Sequence, residues 1–110
     1  MSTMNKEEEI IQIPFDEFMD WLDSTDRPTD LANDLELQYP DLNFRNHCYL
    51  RIAYDNVLGA KWDTVISRPF VAKASRNQIA QANRLLTSYK TDKDLLMQHN
   101  KQSLTYRLIN

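Results

Sequence analysis

The sequence predicts an all-α fold: a compact irregular bundle of four to five helices around a buried central helix at about 44–66. Three observations predict it. Apolar residues recur at i, i+3, i+4 and i+7 in several stretches, the spacing that lines one face of a helix. Helix start and stop signals bracket those stretches. The chain has one glycine, Gly59, and lacks the Asn-Gly or Asp-Gly pairs that close tight hairpins. Its 110 residues suit one domain.

Residues 1–9 are polar and acidic and are expected to fray, leaving 10–110 as the domain. Ile10, Ile11 and Ile13 form either a short extended segment or an apolar lead-in. A helix is expected over 14–23. Pro14 suits its first position, and Phe15, Phe18, Met19 and Leu22 make one apolar face that Trp21 widens. Asp16 and Glu17 sit at the positive end of the helix dipole. Residues 24–28, STDRP, break the chain.

The next helix is expected at 30–38, capped by Thr29, with Leu31, Leu35 and Tyr39 facing inward and Pro40 ending it. The central helix follows, with Asn43 or Asn46 as its cap, and is apolar nearly all the way round. Residues 67–74 connect onward, with Phe70 and Val71 as anchors to the core. Ser75 and Gln78 match a capping box for a helix whose stripe is Ile79, Ala82, Leu86 and Tyr89. Thr91 with Asp94 resembles the same box for a last helix reaching about 107, with Leu95, Leu96, His99, Ser103 and Tyr106 inward.

One polar seam interrupts the central helix. His47, Arg51 and Asp55 stand at i, i+4 and i+8, with Trp62 seven residues further on. A charge on a buried helix must be paired. The seam is therefore a structural ion pair of Arg51 with Asp55 or the wall of a binding site. Lys61, Trp62 and Arg68 add an aromatic between cations, the residue types enriched at interface hot spots. The binding candidates are thus His47, Arg51, Lys61, Trp62 and Arg68.

Catalytic patterns are missing. A phosphate-cradling loop needs several glycines. Adjacent His47 and Cys48 point about 100° apart on a helix, too far for a nucleophile and its base. Cys48 reads as a small core residue and His99 as a satisfied core histidine. The sequence has no HxxxH, CxxC or Glu-x-x-His spacing, so no metal and no cofactor is expected. Asp16/Asp20 and Asp30/Asp34 read as solvated acidic faces.

Charge divides along the chain. Residues 1–44 hold 12 acidic and 2 basic residues, whereas 45–110 hold 4 acidic and 11 basic ones. The halves either complement each other within one molecule or join copies of it. Contact with nucleic acid is a weaker reading, because the basic residues never form a run. No stretch of about 18 apolar residues would span a membrane, no secretory signal is visible, and a lone cysteine suits a reducing cytoplasm.

Residues 46–70, NHCYLRIAYDNVLGAKWDTVISRPF, resemble a small uncharacterised helical protein group of photosynthetic bacteria. Its members are sometimes labelled GCN5-related N-acetyltransferase. The resemblance implies a bacterial cytosolic origin, and the label implies acetyl transfer from acetyl-CoA. That activity belongs to a mixed-sheet fold with a glycine-containing pyrophosphate loop, so no acetyltransferase residue carries over to this chain. The expected function is a non-enzymatic interaction or regulatory protein, self-associating, that binds another macromolecule through its Arg/Trp/Lys surface. The alternatives are a small-anion or nucleotide-binding domain and the acetyltransferase of the label.

Overall fold

The structure, a computed structural model, describes residues 28–109. The expectations for 1–27, including the helix at 14–23, lie outside the described residues. Among the described residues the fold is all-α. α1 spans Pro28–Gln38, α2 Asn46–Leu58, α3 Phe70–Lys73, α4 Arg76–Tyr89 and α5 Lys93–Ile109. Two 3-10 turns, Pro40–Leu42 and Trp62–Thr64, sit in the connections.

α2 is the central helix and packs on α1, α4 and α5. Its Tyr49, Ile52 and Ala53 meet Leu31 and Leu35 of α1, Leu86 and Tyr89 of α4, and Leu96 of α5. Each large apolar side chain buried there contributes about 1.5–3 kcal/mol of transfer free energy. Tyr54, on another flank of α2, joins Trp62, Phe70 and Ala82 in a second cluster. The expected stripes on α1 and α4 hold, with Leu31, Leu35, Ala82, Leu86 and Tyr89 buried. Phe70 anchors its connection as expected, but Val71 is 48% exposed. α3 is a single turn and can turn only one of two adjacent side chains inward.

Helix ends depart from expectation in informative ways. Thr29 lies inside α1 rather than capping it, because Pro28 before it is already helical. At the start of α2 neither Asn43 nor Asn46 is the cap. Glu36 of α1 accepts the Asn46 backbone N–H at 2.7 Å, so a neighbouring helix satisfies that end. Asn43 instead takes a left-handed conformation, φ 57°. α5 is capped by Asp92, which accepts the Leu95 N–H at 2.9 Å. Thr91 turns back to Ser88. The capping box at Ser75 and Gln78 is present in both directions.

The largest correction is the length of the central helix. It ends at Leu58, well short of 66. Gly59 adopts φ +67°, and the N–H groups of Gly59 and Ala60 both return to the Asp55 carbonyl, at 2.8 and 3.2 Å. This is a left-handed helix stop, for which glycine is the favoured residue. The apolar pattern continues beyond it because the following turn also feeds the core.

A Cβ at Gly59 would meet nothing within 4 Å, so substitution there costs backbone conformation alone. Gly59→Ala is expected to lower unfolding free energy by about 1 kcal/mol, and Gly59→Asn by less. Urea denaturation checks both, and equal stability of all three proteins would refute a conformational role for this glycine.

Candidate functional site

The polar seam converges on the carboxylate of Asp55, which has no solvent exposure. α2 places it facing α5 and the turn after Gly59. Oδ2 accepts the Ser103 hydroxyl at 2.6 Å and Arg107 Nε at 2.8 Å. Oδ1 accepts the Trp62 backbone N–H at 2.9 Å and Arg107 Nη2 at 3.1 Å. A carboxylate offers about four lone-pair sites, and four donors occupy them.

This corrects the expected Arg51–Asp55 ion pair. Asp55 pairs with Arg107 of α5. Arg51 reaches it only through a relay: Arg51 Nη1 donates to Ser103 Oγ at 2.7 Å, and Ser103 donates onward to Asp55. Arg51 Nη2 donates to Asn100 Oδ1 at 3.0 Å. The planar fork of Arg107 can engage both carboxylate oxygens, and α5 delivers it there directly. Sequence reasoning missed Asn100 and Arg107. The available signal was Ser103, a polar residue on the inner face of α5, with Asn100 three residues before it and Arg107 four residues after it.

The remaining binding candidates divide between two places. His47 is exposed on the first turn of α2, and neighbouring Cys48 is half-buried. Lys61, Trp62 and Arg68 belong to the corner between α2 and α4. Trp62 is not the surface aromatic that was expected, since only 6% of it is exposed. Its ring meets Tyr54 and Phe70 edge-on, with centroids 5.3 and 5.6 Å away, and those two rings stack at 3.7 Å. Arg68 covers the indole from outside, its guanidinium 4.9 Å from the ring centroid. Arg68 also donates to Asp63 Oδ2 at 2.7 Å. That hydrogen bond holds the Asp63 carboxyl below the usual carboxylate range.

Pairing between the earlier and later parts of the chain accounts for part of the charge split. Asp34 and Asp41 pair with Lys90 and Lys93 at 3.0 and 2.9 Å, and Glu36 pairs with Arg45 at 3.6 Å. Tyr39 adds a hydroxyl bond to the Tyr89 carbonyl at 2.8 Å. The acidic stretch 28–44 is thus fastened to the basic part of the same molecule. Exposed pairs of this kind set registry more than stability.

His99 lies under this region, its Nδ1 2.7 Å from the Tyr89 hydroxyl. Burial pushes His99 below its ordinary value of 6.5 and the Tyr89 hydroxyl well above its own. With the ring neutral and its proton on Nε2, Nδ1 accepts the Tyr89 hydroxyl.

Chemically, the Asp55 network is closed. Its carboxylate has no spare lone pair for general-base work, and the Arg51 fork is engaged. Among the described residues no group of three His, Cys, Asp or Glu side chains could hold a metal ion, and no helix is long and apolar enough to cross a membrane. Comparison of the chain with protein-family models, characterised proteins and solved structures gives no match.

Asp55→Ala would strand Arg107 in a half-dry site and is expected to cost about 3–5 kcal/mol. Arg51→Ala removes only hydrogen bonds to neutral groups and is expected to cost roughly 1–2 kcal/mol. The reverse order in urea denaturation would contradict the pairing described. A separate prediction concerns pH. Between the lowered native value of His99 and 6.5 the unfolded chain binds more protons than the native one, so stability rises with pH there. This contribution is fully present above about pH 6.5 and is lost as pH falls below it. The loss between about pH 7.5 and pH 5 should be smaller in His99→Gln than in the unsubstituted protein.

Proposed function

We propose that this chain is a small non-enzymatic interaction or regulatory protein of the cytoplasm. In this reading it binds an acidic surface on another protein through the corner at residues 61–76, and it self-associates when a second copy supplies that acidic surface. The observation that carries the proposal is what the corner exposes. Val65 and Val71 are 57% and 48% exposed, and Arg68, Lys73 and Arg76 on the same stretch of chain are exposed. Asp63 is the one acidic residue between 61 and 76.

Exposed apolar side chains interspersed with cations suit an acidic partner with apolar anchors. The start of α4 opens on the same corner and adds the positive end of its dipole. The buried Trp62 supports the surface from beneath, so the corner can present its residues without ordering itself on binding. Closure of the Asp55 network favours this reading over small-anion binding at Arg51.

Sedimentation at low and high salt tests the proposal. Self-association is expected at low salt, should weaken as salt screens the charges, and should be lost in Lys73→Glu/Arg76→Glu. A monomer at every salt concentration, or a dimer indifferent to salt and to the double substitution, would overturn it. Salt-sensitive retention of DNA or RNA, abolished by the same substitutions, would replace the protein partner with nucleic acid.

A further inference from the structure

Arg68 is exposed and yet held at two points. Its guanidinium lies 4.9 Å from the centroid of the Trp62 ring, and its Nη2 donates to Asp63 Oδ2 at 2.7 Å. The side chain still keeps 69% of its surface open. Both anchors are themselves fixed. Trp62 is buried, and its backbone N–H is bound by Asp55. Asp63 is mostly covered, and its Oδ1 is buried without a hydrogen-bond partner. Asp63 therefore relies on Arg68 for its neutralisation. The charge of Lys61 reaches the same carboxylate, so this small site holds more positive than negative charge.

A guanidinium carries five N–H donors. Asp63 is the one acceptor that Arg68 meets among the described residues, which leaves most of the fork without a partner. We propose that Arg68 is the specificity-determining residue of the corner, and that its open donors receive an aspartate or glutamate carboxylate of the partner protein. The inference rests on the reading of this corner as a protein-binding surface and adds which residue does the recognising.

Anchoring is what separates Arg68 from the other cations of the stretch. An exposed arginine ordinarily loses rotamer freedom when it binds. Here the indole and Asp63 have restricted that freedom before any partner arrives. Lys73 and Arg76 are exposed without an ion pair or side-chain hydrogen bond among the described residues. They supply attraction at long range, which speeds encounter more than it tightens contact. The planar fork of Arg68 matches a carboxylate, whereas a lysine ammonium acts as a point charge. Phosphate fits the same fork. The exposed Val65 and Val71 on this stretch favour a protein partner over a nucleic-acid backbone, whose interfaces are more polar.

Charge-conserving exchanges in the full chain test this, with a second copy as the probe and sedimentation at low salt as the measurement. Arg68→Lys is expected to weaken self-association about tenfold, the order of one hydrogen bond to a charged group. Its salt dependence should keep the same slope, because the charge is unchanged. Circular dichroism should show unchanged helicity. Arg76→Lys, the same exchange at an unanchored arginine, should alter association by less than about twofold. If Arg68→Lys associates like the unsubstituted chain, or Arg76→Lys loses as much, the assignment to Arg68 is overturned. The corner reading then still stands, provided that association weakens with salt and is lost in Lys73→Glu/Arg76→Glu. Absence of association in the unsubstituted chain overturns that reading and this inference together. Retention of single-stranded DNA that falls about tenfold in Arg68→Lys would assign the open donors to phosphate and overturn carboxylate recognition.

Discussion

A carboxylate with no access to water fastens three separate pieces of this chain. Asp55 belongs to α2, its ion partner Arg107 and its hydroxyl donor Ser103 belong to α5, and its fourth donor is the backbone N–H of Trp62. Removing a carboxylate from water costs several kcal/mol unless its lone pairs are filled. Full occupancy is therefore a condition of folding, and it is met only when α5 and the corner after Gly59 are both in register with α2. Apolar packing alone is more permissive, because cores tolerate substitution and sliding as long as volume is kept. The polar centre selects one arrangement among those that burial would allow.

The same residue also ends its helix. The Asp55 backbone carbonyl accepts the N–H groups of Gly59 and Ala60, while its side chain takes the N–H of Trp62. One residue thus both stops α2 and pins the strand of chain that leaves it. The left-handed Gly59 makes the reversal, and the Trp62 side chain follows into the second core cluster. The placement of the indole is a consequence of where the carboxylate sits. The electrostatic and aromatic halves of the molecule are coupled through a single peptide N–H.

What was legible in the sequence follows from the range of each signal. Periodicity and capping are local, so the all-α class, the stripes on α1 and α4 and the Ser75 capping box could be read directly. That Asp55 needs a partner could also be inferred, because a charged residue on an apolar helix demands one. The partner itself was not legible. Arg51 lies one turn from Asp55 and Arg107 lies 52 residues away, and nothing in the spacing of α2 says which of them faces the carboxylate. Trp62 was misplaced for a related reason. The apolar pattern runs through Gly59 without a break, and only the conformation of that glycine converts a continuing helix face into a folded-back corner.

The charge split takes on a different meaning once contacts are known. Asp34, Glu36 and Asp41 are each matched by a cation of the later part of the chain. These pairs lie around the end of α1 and the α4–α5 turn, at one end of the bundle. They use up Arg45, Lys90 and Lys93, and Arg51 and Arg107 are taken by the buried network. The cations left exposed are therefore not spread evenly. Arg68 is exposed but pairs with Asp63, Lys73 and Arg76 are exposed on the stretch that follows it, and Lys101 is exposed on α5. Even spacing along the sequence argues against a binding patch, yet internal pairing engages Arg45, Lys90 and Lys93 at one end of the bundle and leaves Lys73 and Arg76 exposed after the corner. Folding here acts as a filter on charge: it neutralises the residues that set registry and leaves the remainder concentrated where the chain turns.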